Sequence, residues 1–226
     1  MLAYGKNVLL MTHPKEIKKV YLSSSKNDQE VKQFLKENKI HFVITTNAIL
    51  NKMCKGNHQG IVFEREEYQY FELKDISNED FIVILDHIED PHNFGAIIRT
   101  AEAAGIKSII IPKDRSVSIN DTVIKTSVGT TNNVKIVKVT NLVETIKKLQ
   151  KEGYFIYGTD MDGTDLRTID FPKKKALIIG NEGKGISKLV RDKCDEIIMI
   201  PMIGQVNSLN ASVAAGIIIF KMGGLS

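Results

Sequence analysis

Five consecutive apolar residues, Phe81-Ile82-Val83-Ile84-Leu85, decide the fold class of this chain. A strand that helices cover on both faces is apolar throughout, whereas a strand with one face in water alternates apolar and polar residues. Similar runs recur at 108–111, 134–139, 154–158, 176–179 and 196–200. Helical patterns separate most of them, at 94–104, 117–127, 142–152 and 186–194, while 125–134 and 160–175 break the rhythm. The sequence therefore predicts a doubly wound α/β domain built on a parallel sheet.

The N-terminal part reads as a smaller α/β unit of short elements. Helical patterns lie at 4–11, 28–37 and 48–53, and strand patterns lie at 17–22, 41–44 and 60–64. The polar stretch 65–79 has little apolar periodicity and is the best linker in the chain. We therefore predict an N-terminal domain with its linker at 1–75 and a second domain at 76–226.

Composition narrows the function classes. Of the 226 residues, 42% are hydrophobic and 26% are charged, an ordinary balance for a globular protein. No apolar run approaches the roughly 18 residues that span a bilayer, so no membrane partner is expected and the chain is expected to be cytoplasmic. Cys54 and Cys194 stand apart without the spacing of a zinc site or a disulfide framework. A net charge of +4 leaves two alternatives open, a basic face that meets phosphates or a merely solvated surface.

Two glycine-bearing loops near the C-terminus predict a ligand site. They are Ile179-Gly180-Asn181-Glu182-Gly183-Lys184-Gly185 and the stretch from Ile200-Pro201-Met202 through Gly204 to Ser208-Leu209-Asn210-Ala211-Ser212. Each follows an apolar run and opens a helical pattern. Neither is an ordinary nucleotide loop, because GxGxxG is missing after Leu85 and Lys184 is followed by Gly185 rather than Ser or Thr. Glu182 would repel a triphosphate but suits a ligand with positive charge or ribose hydroxyls.

The segment after the first long apolar run carries a second group of candidates. Asn93 is well placed to cap the helix that follows it. Arg99 shares a helix face with Gly95, where a phosphate could approach the helix N-terminus, although a surface ion pair with Glu102 is the plainer alternative. His87 and His92 lie among carboxylates, but Pro91 interrupts any helical spacing, so no metal site is predicted.

In this order, these segments resemble the three signature motifs of the SpoU, or TrmH, branch of the SPOUT RNA methyltransferases. The motifs are Asn93 and Gly95 with Arg99-Thr100-Ala101-Glu102 and Gly105, then Asn181-Glu182-Gly183 with Gly185, then the loop from Ile200 to Val213-Ala214. Tyr4-Gly5-Lys6-Asn7 and His58-Gln59-Gly60-Ile61 are similar to the small RNA-binding domain of the family. The most similar subgroup methylates a guanosine ribose in bacterial 23S ribosomal RNA.

The resemblance implies a C-terminal α/β trefoil-knot methyltransferase domain, a smaller N-terminal α/β RNA-binding domain, a homodimer and S-adenosylmethionine as cofactor. The positions that it assigns to cofactor binding are Gly180, Asn181, Gly183, Ile200, Met202, Gly204, Ser208 and Leu209. The positions that it assigns to catalysis are Asn93, Arg99, Glu182, Ser208 and Asn210. Lys6, Asn207 and the residues after Gly158 fall where the family varies.

The implied reaction is an in-line displacement in which a ribose 2′-oxygen takes the methyl group, and positioning is expected to supply much of the acceleration. A guanidinium keeps its proton in a protein. Arg99 is therefore expected to stabilise a phosphate and the developing alkoxide, while the proton passes to an RNA phosphate oxygen or to water. Lys15, Lys18, Lys19 and Lys26 are candidates for phosphate contacts, or are merely solvated.

Three alternatives remain at this stage. The same chemistry could act on transfer RNA, or the chain could be a non-catalytic RNA-binding protein of the same fold. A dinucleotide oxidoreductase is disfavoured because its glycine fingerprint is missing.

Overall fold

The computed structural model describes residues 1–205 and 208–224, so Asn207 lies outside the described residues. The strands are β1 (Leu2–Tyr4), β2 (Ile17–Ser23), β3 (Phe42–Thr45), β4 (Ile61–Arg65), β5 (Phe81–Asp86), β6 (Ser108–Pro112), β7 (Lys135–Val139), β8 (Phe155–Asp165), β9 (Lys175–Gly180) and β10 (Glu196–Met199). The helices are α1 (Lys6–Met11), α2 (Gln29–Glu37), α3 (Asn47–Met53), α4 (Pro91–Ala103), α5 (Asp121–Thr126), α6 (Leu142–Lys151), α7 (Lys188–Arg191) and α8 (Ala211–Met222).

The chain divides into two compact units. The first contains Met1–Gln69 and Ile119–Asn132, and the second contains Tyr70–Ser118 and Asn133–Ser226. The predicted domain ranges of 1–75 and 76–226 stay a prediction. The return of 119–132 to the first unit is a feature that a single boundary does not anticipate.

The first unit is built on a four-stranded sheet in the order β1-β4-β2-β3. β4 pairs antiparallel with both β1 and β2, while β3 lies parallel to β2 at the edge. Strand β1 was not predicted, because the sequence pattern placed Tyr4 in a helix at 4–11. Tyr4 instead pairs with Val62, and α1 begins at Lys6. Helix α5 belongs to this unit, and the Lys125 ammonium lies 5.2 Å from the centre of the Tyr4 ring.

The second unit is an α/β domain around a six-stranded sheet in the order β10-β8-β9-β5-β6-β7. Every neighbouring pair in this sheet is parallel. The apolar runs that predicted the sheet form its interior, and Ile82, Ile84 and Ile178 are fully buried. The prediction of an α/β fold with a parallel sheet is confirmed.

Strand β8 differs most from its predicted form. The sequence pattern ended a strand at Gly158 and began an irregular loop at Asp160, whereas β8 continues to Asp165. The extension is polar, and its last two residues are held by backbone pairing with β10: Ile198 pairs with Thr164 and Met199 with Asp165. Helix α7 is also shorter than predicted, with four residues.

No helix in 1–205 or 208–224 combines the length and the apolar character that crossing a membrane requires.

Candidate functional site

A cavity of about 750 Å³ lies in the second unit, where β8, β9 and β10 meet the N-terminal part of α8. Its lining comprises residues 159–161 of β8, 179–185, 198–202, 204, 208 and 209, and residues 211, 214 and 218 of α8. Open parallel sheets commonly bind ligands beyond the carboxyl ends of their strands, and β9 and β10 both end at this cavity. The two glycine-bearing loops therefore form one pocket.

The first loop is a tight turn at the end of β9. The Asn181 and Gly185 backbones exchange two hydrogen bonds, with N···O distances of 3.0 and 2.8 Å. A Cβ atom on Gly180 would lie 2.2 Å from the Gly185 carbonyl carbon, so a side chain at this position would force the turn apart. Only glycine lets the chain double back here, which brings main-chain groups to the wall of the cavity.

The second loop ends at the start of α8. The Asn210 side chain caps this helix, since its Oδ1 accepts hydrogen bonds from Ser212 N at 2.9 Å, Val213 N at 3.4 Å and Ser212 Oγ at 2.6 Å. This cap fixes the direction from which the preceding residues, Ser208 and Leu209, reach the cavity. Asn210 itself is outside the lining.

Asn93 links the two parts of the site, and the sequence interpretation of its local role is wrong. Asp90 is the N-cap of α4, with its side chain accepting from His92 N, and Pro91 occupies the first helical position. Asn93 lies one turn inside, buried, and its Nδ2 donates to Glu182 Oε1 at 2.6 Å. A residue predicted to cap a helix instead holds the carboxylate of the glycine loop.

Two further hydrogen bonds join the segment that follows β9 to the carboxyl end of β5 and the residue after it. Asn181 Nδ2 donates to the His87 carbonyl oxygen at 2.9 Å, and Ser187 N donates to Asp86 Oδ2 at 2.7 Å. The His87 ring also hydrogen-bonds Asp86. The glycine loop is therefore held from both ends against the carboxyl end of β5.

Arg99 is exposed on α4 and does not line the cavity. Its plainer alternative, an ion pair with Glu102, is not found among the described residues, and Glu102 Oε1 accepts from Asn133 Nδ2 at 3.0 Å instead. Helix α4 packs against α8, with Thr100 close to Gly216. Arg99 therefore lies beside the wall of the site and faces solvent.

The structure thus brings most of the predicted site residues together. All eight residues predicted to bind cofactor line the cavity. Of the predicted catalytic residues, Glu182 and Ser208 line it, Asn93 is bonded to Glu182, and Arg99 and Asn210 lie outside the lining.

The sequence interpretation missed the wall contributed by β8, namely Thr159, Asp160 and Met161. The motif Gly-Thr-Asp after an apolar strand was the available signal, but the polar composition that follows suggested a loop. Asp160, Glu182 and Lys184 are the charged side chains in the lining. Arg191 pairs with Asp160, whereas the hydrogen-bond partner of Glu182 is the uncharged Asn93 amide, so the Glu182 carboxylate favours a ligand with positive charge.

Within 1–205 and 208–224, no group of three or more His, Cys, Asp and Glu side chains is arranged to hold a metal ion. Burial raises the pKa of the Cys194 thiol to about 12, with Asp195 contributing, so this thiol stays protonated at neutral pH.

The comparisons with known proteins agree with this geometry. The SpoU rRNA methylase family matches residues 80–220, and a family described as RNA 2′-O ribose methyltransferase substrate binding matches residues 2–71. A Bacillus subtilis protein, YacO, named for the TrmH family of tRNA/rRNA methyltransferases, is 38% identical over 96% of this chain and 93% of its own length.

Two solved structures are similar to this chain over much of its length. An AdoMet-bound rRNA methyltransferase from Sinorhizobium meliloti is 26% identical, with a TM-score of 0.81 over 98% of this chain and 85% of its own. The TrmH/SpoU tRNA modifying enzyme of A. aeolicus is 31% identical, with a TM-score of 0.60 over 67% of this chain and 81% of its own.

The fold, the pocket made by the two glycine loops and both family matches agree, so this chain belongs to the SpoU family of RNA methyltransferases.

Proposed function

We propose that this protein transfers a methyl group from S-adenosylmethionine to a ribose 2′-hydroxyl of RNA, and that the target is a guanosine of 23S ribosomal RNA. The observation that carries the proposal is the single cavity formed by both glycine loops, coupled through Glu182 to Asn93 at the start of α4. A cofactor side and a substrate side would then meet at one hydrogen bond.

The cavity fits the cofactor in size and charge. Its volume of about 750 Å³ lies within the roughly 300–1,000 Å³ range of small-molecule sites. Glu182, whose hydrogen-bond partner Asn93 is uncharged, favours a cationic ligand, and S-adenosylmethionine has a sulfonium and an ammonium group. Gly180, Ile200 and Leu209 would hold it through main-chain groups. When bound, the cofactor supplies an electrophilic methyl carbon and leaves as a neutral sulfide.

The side chains at the start of α4 would position the ribose. Because Asn93 Nδ2 donates to Glu182, the Asn93 Oδ1 atom remains to accept a hydrogen bond from a ribose hydroxyl. Arg99 would hold a phosphate and stabilise negative charge on the attacking oxygen, and Ser208 and Asn210 would complete the orientation. The 2′-hydroxyl proton would pass to an RNA phosphate oxygen or to water.

Ribosomal RNA is favoured over transfer RNA as the substrate, because a larger part of this chain aligns with the rRNA methyltransferase than with the tRNA modifying enzyme. The rRNA methyltransferase of Sinorhizobium meliloti aligns with 98% of this chain, and the tRNA modifying enzyme of A. aeolicus with 67%. The fuller match must include the N-terminal unit, where the substrate-binding family matches. Methylation of transfer RNA is the second candidate, supported by the tRNA/rRNA name of YacO.

In the N-terminal unit, Lys15, Lys18 and Lys26 are exposed and would contact RNA phosphates. Lys18 lies 3.1 Å from Glu66, an exposed pair that a phosphate could replace. We further propose that the enzyme acts in the cytoplasm during rRNA processing, and that the C-terminal segment is threaded as the trefoil knot of the family.

A direct assay tests the proposed function. The purified protein is incubated with methyl-labelled S-adenosylmethionine and either ribosomal or transfer RNA lacking modifications, and nuclease-resistant dinucleotides are mapped. Label at one 2′-O position of 23S RNA is expected. The Gly180→Ala variant, in which the new Cβ would force the turn apart, is the control without cofactor binding. Label on a base, or on transfer RNA alone, would contradict the proposal.

A further inference from the structure

Five residues of β8 form a bulge that supplies one wall of the cavity. Gly158 pairs with Ile197 and Thr164 pairs with the next residue, Ile198, so residues 159–163 are left between two consecutive positions of β10. Thr159, Asp160 and Met161 line the cavity. The position of this bulge therefore sets the width of the pocket on that side.

The two ends of the bulge are anchored by its own neighbours. Thr159 Oγ1 donates to the Ile178 carbonyl oxygen at 3.0 Å, which ties the first residue to β9. Gly163 lies against β10 so closely that a Cβ atom would be 2.6 Å from the Ile198 carbonyl carbon. Between these two ends, the bulge receives support from a side chain of another element.

Arg191 supplies that support from α7. Its Nη2 donates to both Asp162 carboxylate oxygens, at 2.8 and 2.9 Å, and its Nη1 donates to Asp160. One planar guanidinium thus holds two carboxylates of the same bulge, a geometry that a lysine ammonium cannot reproduce. Arg191 also lowers the pKa of the Asp162 carboxyl, mainly through this hydrogen bond.

The arginine is itself held by the glycine loop. Helix α7 follows that loop directly, Ser187 at its N-terminus bonds Asp86, and Val190 is buried. The Arg191 amide bonds the Ser187 carbonyl oxygen at 2.9 Å. The guanidinium therefore connects α7, which follows the glycine loop, with the wall of the cavity formed by residues 159–161.

We propose that Arg191 is a positioning residue for the cofactor: by clamping Asp160 and Asp162 it fixes the β8 bulge, and the affinity for S-adenosylmethionine depends on that clamp. The inference rests on the proposed function for the identity of the ligand. It requires no RNA, so binding of the cofactor alone can test it.

The direction in which the affinity for S-adenosylmethionine changes on loss of Arg191 distinguishes a positioning role from a simple charge effect. Without Arg191, the Asp160 carboxylate would be uncompensated and would attract a cationic ligand more strongly, so electrostatics alone predicts tighter binding. A loosened wall predicts weaker binding.

The test is calorimetric titration of the full-length protein with S-adenosylmethionine. Arg191→Met is expected to raise the Kd on the order of tenfold, Asp162→Asn about threefold to fivefold, and Arg191→Lys by an intermediate amount. The Kd of the double variant Arg191→Met/Asp162→Asn is expected to be no higher than that of Arg191→Met alone. Arg167→Met is the matched control, because Arg167 pairs with Asp165 on the same strand but ties it to no other element.

Steady-state kinetics distinguishes loss of the clamp from a general loss of structure. With RNA present, the KM for S-adenosylmethionine should rise while kcat at saturating cofactor stays within about twofold, a split that partial unfolding would not produce. Unchanged or tighter binding in Arg191→Met, unchanged binding in Asp162→Asn, or a fall in kcat with unchanged Kd would overturn the proposal. If cofactor affinity changes as expected but no RNA is methylated by the unaltered chain, the proposed function fails and the clamp stands.

Discussion

Arg99 is exposed on α4 and has no ion pair among the residues that the structure describes, so its guanidinium is available to a ligand. A guanidinium can bind two phosphate oxygens at once, whereas an ammonium is a point charge. We expect Arg99→Lys to lower kcat/KM for RNA roughly 10- to 100-fold, because the developing charge loses a bidentate partner. The Kd for S-adenosylmethionine should be unchanged, since Arg99 is outside the cavity lining.

Single-turnover methyl transfer and calorimetry measure these two quantities. Arg167→Lys makes the same chemical change at an exposed arginine away from α4 and should keep full turnover. Near-full turnover of Arg99→Lys at neutral pH would show that the planar fork is not needed.

The sequence indicated that the two glycine loops form a ligand site, but it did not indicate the partner of Asn93. The glycine loops follow strands of a parallel sheet, so their meeting at the carboxyl ends follows from the fold class. The bond from Asn93 to Glu182 joins residues 89 positions apart. A local capping pattern contains no information about such a partner, and Asp90 with Pro91 satisfied the helix start first.

At the scale of elements, apolar runs predicted the strands of the six-stranded sheet because both faces of that sheet are buried. The extension of β8 could not be predicted in this way. Residues 160–165 are mostly polar: Thr164 and Asp165 pair with β10, and the Arg191 clamp holds Asp160 and Asp162. Long-range backbone pairing leaves no periodicity in the sequence.

The close contact between Gly163 and β10 predicts that a side chain at this position would destabilise the protein. In Gly163→Ala the new methyl group would lie 2.7 Å from the Ile197 carbonyl oxygen, so one of the two strands must move. Overpacking of this kind costs about 1–3 kcal/mol. We expect a lower midpoint in thermal and urea unfolding, together with weaker binding of S-adenosylmethionine.

Gly216→Ala is the matched glycine substitution with the opposite expectation. The nearest atom to its new Cβ would be Thr100 Cγ2 at 3.6 Å, an ordinary contact. Because Gly216 lies inside α8, alanine should stabilise the helix by about 0.5–1 kcal/mol. An unchanged unfolding midpoint in Gly163→Ala would show that β10 accommodates the methyl group at no cost.

For the whole molecule, the sequence predicted two α/β parts separated by one boundary, and the position of that boundary stays a prediction. Residues 119–132 group with the N-terminal unit, where Val123 and Ile124 are fully buried. A chain that lacks residues 1–75 would lose β1 to β4 and would expose Val123 and Ile124 to solvent. RNA binding by the N-terminal unit is therefore tested in the full chain, with lysine substitutions.

Helix α8 has an exposed apolar face that would suit the interface of a homodimer. Val213, Ile217 and Phe220 are 51%, 43% and 39% exposed, and their spacing places them on one face of the helix. An apolar stripe on a helix that packs beside α4 suits a second copy of the same chain, which would then lie next to Arg99. A charged side chain in the middle of the stripe would be buried without a partner in such a dimer.

We therefore expect Ile217→Asp to convert a dimer into a monomer, as measured by light scattering coupled to size-exclusion chromatography. RNA methylation should fall with it if the neighbouring copy completes the surface around Arg99. Ile49→Asp makes the same change at a helical isoleucine that is 49% exposed in the N-terminal unit, and it should keep the mass of the unaltered protein. A dimer that survives Ile217→Asp would show that this face of α8 is not the interface.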